Sequence, residues 1–493
     1  MRENEPDPNI VLIVMDTARY DFVGKTERNV TPNLADIASR GTSFQNAFAA
    51  APWTLPSHAS IFTGVHPSEH GAHAGNKYLD PSVPTFPAIL HQCGYTTMGA
   101  SNNAWINDQF GIIREFDKFF KGWKLIQRGE DFGKAGLTNE GRDRLRKAVK
   151  TTLSGNPVVN FLNGLYHQTR SRFRSDNGAA RANKWIRKQL QSYSRDDPVF
   201  LFVNYLEPHL EYDPPERFVT EFLPSGVSYD KAVNVPQNPW EYINGSLSLP
   251  EDELDCLKAL YAGEIRYLDH RIGELRRTIN ETLTERDTIF IITSDHGENI
   301  GDHGLMDHQY CLYDTLVHTP LIVEGGGFST GANPDELVQH TDIFPTILDL
   351  IGEEDASVKE NLRGNSFHPN AEESGHDFVV SEYMAPQPSM EALTERLSGV
   401  NDRMRTFDRS LRAIRTKTHK LIRASDSNDE FYDIRNDPRE SENRFAKDRE
   451  TVIELDRELN QWKRSRAMAP EVRDQNADVD RQTEEILEEL GYL

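Results

Sequence analysis

A chain of 493 residues is long enough to bury a large core and to form two or three domains. Its 78 acidic against 55 basic residues leave a net charge of −23. That weighs against a nucleic-acid backbone as the main partner and fits the acidic surface of a halophile's protein, where the charge serves solubility. The cysteines Cys93, Cys256 and Cys311 lie in unrelated segments without metal-ligand spacing, so reduced core thiols are expected.

The opening residues Met1 to Asn9 carry no apolar signal-like stretch, and no later run is long enough to cross a bilayer. A cytoplasmic location and no transmembrane segment are expected, with oligomeric state left open. Asn9 to Met15 is a short β-branched run ending abruptly in Asp16, the pattern of a central parallel strand with a carboxylate at its tip. Arg19 and Asp21 are expected to brace that tip. Ala51 to Gly64 places Thr54 just ahead of a short helix, with Pro56 suited to its first position and Gly64 to its stop. A hydroxyl there lies among unpaired backbone N–H groups, where an anionic ester would bind, although a capping Thr gives the same pattern.

Glu69-His70-Gly71-Ala72-His73 reads as a loop whose histidines are ordinary surface groups. Thr96 to Ser101 reads as another strand, followed by Asn102 and Asn103, either of which is placed to bond a substrate oxygen. Residues 121–195 are basic, amphipathic and strand-poor, as expected of a helical insertion, and Arg170 to Arg174 within it reads as a solvated charged face. Val199 to Tyr205 resumes the sheet and leads to Glu207-Pro208-His209. Ser225 to Leu249 reads as a long loop on the pocket rim, and Leu254 to Thr278 as an amphipathic helix.

Asp287 to Ser294 repeats the first design, an apolar strand tipped by Asp295-His296. The cluster Asp302-His303 to Asp307-His308 follows. Asp342 is expected to cap a helix and His318 to be structural. A second unit is expected from about Phe378, with a small sheet through Ile414–Ile422 and Phe431–Ile434 and a charged helix from Asp448 onward.

Three strand tips that deliver Asp or His to one sheet edge predict a metal site, because ligands gather at the carboxyl ends of strands in open α/β sheets. Asp16, Asp295 and His296 offer oxygen and imidazole but no thiolate, which suits Mn, Mg, Ca or Zn, as one ion or two. Coordination of Thr54 by the same ion would lower its pKa and favour an alkoxide. His209, and the pairs Asp302-His303 and Asp307-His308, are placed to bind substrate, protonate a leaving group or hold a second metal.

Over most of its length the chain resembles the sulfatase family of the alkaline phosphatase superfamily. The resemblance rests on the Asp16 strand, Thr54 to Gly64, Glu207 to Pro215, Ser294 to Glu298, Gly304-Leu305, Leu312 to Val323, Val338 to Thr346, Arg415 to Ile422 and Glu430 to Pro438. It implies an α/β fold with a mostly parallel sheet sandwiched by helices and a small C-terminal α+β subdomain. The expected division is a catalytic domain over 1–377 and a subdomain over 378–493.

Sulfatases carry Cys or Ser, converted to formylglycine, where this chain has Thr54, and Arg where it has His58. Thr17 stands in place of a second Asp, and His308 is nearest to the position of an active-site Lys. A Thr nucleophile resembles the phosphodiesterase, phosphoethanolamine transferase and lipoteichoic acid synthase relatives, and Asp16, Thr54, Asp295 and His296 match the metal set of the last two. The resemblance therefore implies a metal-dependent enzyme that cleaves a phosphate mono- or diester, or transfers its phosphoryl group, through Thr54. His209 and His308 would complete the catalysis, and His58, Asn102 and His303 would bind a small anionic ester, free or linked to a glycan or lipid. A sulfuric ester hydrolase without formylglycine and a non-catalytic metal-binding member are the alternatives.

Overall fold

The computed structural model describes residues 6–24, 29–124, 176–193, 196–397 and 399–466, together with 469, 483 and 487. Most of the expected 121–195 insertion, including Arg170 to Arg174, lies outside the described residues. Its described parts end one strand and form the helix Ala179–Gln191.

The strands are β1 (Asn9–Met15), β2 (Thr42–Phe48), β3 (Thr96–Ser101), β4 (Lys118–Lys121), β5 (Val199–Tyr205), β6 (Thr288–Ser294), β7 (Asn299–Ile300), β8 (Met306–Asp307), β9 (His318–Glu324) and β10 (Leu337–Gln339). Eight of them make one sheet in the order β10-β2-β9-β6-β1-β5-β3-β4. Only β9 runs against its neighbours β2 and β6. The central strand β1 pairs in parallel with β5 on one side and β6 on the other.

Every residue of β1 is buried, which is why its sequence is continuously apolar and not alternating. Successive side chains still point to opposite faces. Ile10, Leu12 and Val14 pack in the core layer that also holds Phe62 and Ile347, from the helices Thr54–Thr63 and Ile343–Ile351. Val11, Ile13 and Met15 pack in the other layer, with Ile37, Ile186 and Leu260 from the helices Pro32–Arg40, Ala179–Gln191 and Glu251–Thr282. Each such aliphatic side chain contributes about 1.5–3 kcal/mol by leaving water. Helices on both faces thus fix the sheet, and its polar strand tips are the part left for chemistry. Ser225 to Leu249, expected as a loop, forms the short helices Tyr229–Val233 and Pro239–Ile243; Ser228 and Asn238 cap them with side-chain oxygens, a local signal that the prolines obscured.

A small antiparallel sheet follows, β11 (Val379–Tyr383), β12 (Leu411–Arg415), β13 (His419–Ala424) and β14 (Glu430–Asp433), paired in chain order. The helix Arg449–Arg464 covers it with Val452, Leu455, Leu459 and Trp462. This sheet touches the segment that leads into Thr54: Ser381 Oγ donates to the Ala49 carbonyl at 2.6 Å, and Glu382 N to that of Ala50 at 2.9 Å. Lys420 is fully buried between Asp314 Oδ1 at 2.7 Å and Glu440 Oε1 at 2.8 Å, and ties the small sheet to the large one. Among the described residues no helix is long and apolar enough to cross a membrane.

Candidate active site

Strand register builds the first half of the site. Met15 at the end of β1 pairs with Ser294 at the end of β6, so the next residues along, Asp16 and Asp295, emerge side by side. Two buried carboxylates in contact are unfavourable without a cation, and burial followed by the charge of Asp295 raises the Asp16 carboxyl well above its usual range. Burial acts on Asp295 as well, but His296 and then His58 outweigh it and hold Asp295 below the usual range. Asp295 Oδ1 accepts the backbone N–H of Thr17 at 3.2 Å and of His296 at 2.9 Å. Thr17 has φ of 58°, a left-handed conformation that a β-branched residue rarely adopts and that marks the turn as constrained.

Thr54 enters from a separate helix, Thr54–Thr63, buried along its whole length. The helix begins two residues earlier than Pro56 suggested: Trp53 is the cap and Thr54 the first helical residue. Gly64 ends it as expected, with φ of 68°. Thr54 Oγ1 receives Asn103 Nδ2 at 3.2 Å and lies 3.5 Å from His296 Nε2. The same Asn103 amide donates to Asp16 Oδ2 at 2.6 Å. His296 donates Nδ1–H to the Gly297 carbonyl at 3.0 Å, which fixes the tautomer and leaves the Nε2 lone pair directed at the site.

Asp16, Asp295 and His296 each offer a ligand atom within 4.8 Å of the others, all buried. Asp16 Oδ1 and Asp295 Oδ2 accept no hydrogen bond among the described residues. Buried carboxylate oxygens without donors are costly. A hard divalent cation among them removes that cost, and the donor set fits one.

Of the other expected residues, His58 is buried beneath Thr54, donating Nδ1–H to the Thr54 carbonyl at 2.9 Å, with Asp295 Oδ2 3.5 Å away. Burial lowers its pKa, opposed by Asp295, at the position where the resemblance has Arg. His209 and His308 come together with ring centroids 5.1 Å apart, and His308 lies 4.6 Å from His296. Burial and then His308 lower the His209 pKa to about 4. Burial also opposes charge on His308, but Asp307 and Glu298 outweigh it and raise its pKa well above that of a free imidazole.

Two expected residues point elsewhere. Asn102 is buried, and a Cβ on Gly122 or Gly178 would strike its Oδ1, so it packs against backbone while its neighbour Asn103 reaches Thr54. His303 sits in the turn between β7 and β8 and stacks on Tyr313 at 3.8 Å between centroids. Arg19 pairs with Asp21 and Asp302 and holds the Glu298 carbonyl at 3.1 Å. His318 stacks between Tyr20 and Phe48. Asp342 forms a capping box with Gln339 and also pairs with His376. His70 is buried and meets Ser60 Oγ at 3.1 Å, so it is a core group and not the surface group expected.

Glu298 is the site group that the sequence left without a role; Asp307 and His308, expected together, stand beside it. The only sequence signal for Glu298 is its place two residues beyond His296.

The sulfatase family model matches residues 8–353, and the chain belongs to the sulfatase family. It is a hydrolase acting on an ester bond. It is similar to arylsulfatase K of Bos taurus, 24% identical over 478 residues, covering 92% of this chain and 81% of the relative. Its fold resembles that of the phosphonate monoester hydrolase of Agrobacterium radiobacter, with a TM-score of 0.66, 19% identity and coverage of 93% and 96%. A 2-O GAG sulfatase also superposes, with a TM-score of 0.65, 18% identity and 97% coverage of both chains.

Proposed function

We propose that this sulfatase-family hydrolase cleaves a phosphate mono- or diester with Thr54 as the nucleophile. The observation that carries the reading is Thr54 Oγ1 itself, held by Asn103 and facing His296 beside the buried carboxylates. The Thr Cβ bears a methyl group, so its oxidation cannot give the aldehyde of formylglycine. A single hydroxyl remains, suited to direct attack.

The bound divalent ion would lower the pKa of an alcohol at its coordination sphere and offset charge on the ester oxygens. Asp16, Asp295 and His296 would hold it. Asn103 orients Thr54 Oγ1 and, as a donor, stabilises negative charge on that oxygen. Attack releases the Oγ1 proton to solvent, forms the bond from Oγ1 to phosphorus and breaks the bond to the leaving oxygen. His209 or His308 supplies the proton that leaves with the alcohol. Water, or a second alcohol in a transfer reaction, then releases the phosphoryl group from Thr54. A glycan or lipid headgroup is the proposed organic part, and a salt-rich cytoplasm the proposed setting for so acidic a chain.

A sulfuric ester is the second reading, favoured by the arylsulfatase relatives. The test is acid quench of the manganese-loaded enzyme during turnover of an aryl phosphodiester, followed by peptide mass analysis. A phosphoryl adduct on Thr54, absent with Thr54→Ala, supports the nucleophile. An adduct elsewhere, or undiminished turnover by Thr54→Ala, overturns it.

A further inference from the structure

We propose a second divalent-cation site, next to the first, formed by Glu298, Asp307 and His308. The hairpin of β7 and β8 creates it. Asn299 pairs with Asp307, so Glu298 and His308 are the next step of the same register and face each other. The three residues each offer a ligand atom within 4.8 Å of the others, and all are buried.

Glu298 points to a cation most directly. It is fully buried, and neither carboxylate oxygen accepts a hydrogen bond among the described residues. His308 Nδ1 stands 3.7 Å from its Oε1. Such a carboxylate is expected to be paired or metal-bound. Asp307 has φ of 74°, so the backbone takes a rarely used conformation where its carboxylate meets His308.

The charges give the same answer. Asp16, Asp295, Glu298 and Asp307 gather around the adjacent rings of His296 and His308, and the ion pairs they make among the described residues are with histidines only. One divalent ion on Asp16 and Asp295 balances two of these carboxylates. The other two, Glu298 and Asp307, meet only the His308 imidazole among the described ion pairs, and a second divalent ion would balance both. The rings of His296 and His308, 4.6 Å between centroids, put the two ligand groups in contact. The site rests on side-chain geometry and does not depend on the phosphoester reading.

The test is equilibrium dialysis of the metal-free full-length chain against Mn²⁺ in molar KCl, which screens the acidic surface. Bound manganese is counted per chain, and the EPR spectrum is recorded. Two ions per wild-type chain with a spin-coupled signal are expected. Glu298→Gln and Asp307→Asn should each retain one uncoupled ion and a native circular dichroism spectrum. One ion in the wild type, or two in both variants, overturns the proposal. Because no substrate is used, this result is separate from the identity of the ester.

Discussion

Asn103 joins the two halves of the active site: its amide donates to Thr54 Oγ1 at 3.2 Å and to Asp16 Oδ2 at 2.6 Å. Its own Oδ1 accepts Trp105 N at 3.0 Å, so the side chain is held in one orientation. If Thr54 attacks as proposed, a donor fixed in this way stabilises charge on Oγ1 without reorganising. Asn103→Ala is expected to lower kcat by roughly ten- to a hundredfold with little change in KM, because one donor to a reacting oxygen is lost. Steady-state kinetics on an aryl ester checks this, and a change confined to KM would assign Asn103 to substrate binding.

Chelation should destabilise the fold as well as stop turnover. Removing a cation re-exposes Asp16 and Asp295 to each other, and burial with the Asp295 charge already raises the Asp16 carboxyl. An ion present at a hundredfold over its Kd stabilises by about 2.7 kcal/mol. The melting temperature of the chelator-treated protein should fall and recover on adding manganese. Asp295→Asn should lose most of that response.

The buried histidine His70 predicts an acid-side loss of stability. Burial, then His73 and His66, lowers its pKa from 6.5 to about 3. The unfolded chain therefore takes up a proton below about pH 6.5 that the folded chain refuses. Stability is complete above that pH and falls by up to about 1.4 kcal/mol per pH unit as the pH drops toward 3. Denaturant titrations between pH 5 and 7 should show a shallower slope for His70→Gln than for wild type.

Lys420 predicts a purely structural effect. Its side chain is fully buried between Asp314 and Glu440, and deleting it leaves the buried Glu440 without its cation, whereas Asp314 keeps Arg415 at 3.1 Å. Lys420→Met should cost about 3–5 kcal/mol. Thermal unfolding measures the loss; a change within about 0.5 kcal/mol would mean the carboxylates find other partners.

The strands were legible where burial on both faces makes the sequence continuously apolar, as in Asn9–Met15, Val199–Tyr205 and Thr288–Ser294. Their polar tips announced Asp16, Asp295 and His296 for the same reason. Pairing between strands carries no such mark. That Met15 meets Ser294, bringing the two carboxylates together, is a property of the sheet. The choice between Asn102 and Asn103 depended on the direction of one turn. Spacing along the chain grouped His303 with His308, whereas the β7–β8 hairpin sends His303 to its tip and brings the distant Glu298 to His308. Thr54 stood out in the sequence, but the helix phase around it was misjudged because Pro is tolerated throughout the first turn as well as at its first position.

The most direct measurement is kcat/KM for a matched set of aryl esters: phosphate monoester, phosphodiester, phosphonate monoester and sulfate. Manganese-loaded wild type and Thr54→Ala would be compared in molar KCl. The account predicts that the phosphorus esters are preferred over the sulfate and that their turnover disappears with Thr54→Ala. Efficient sulfate cleavage with little activity on any phosphorus ester would contradict it.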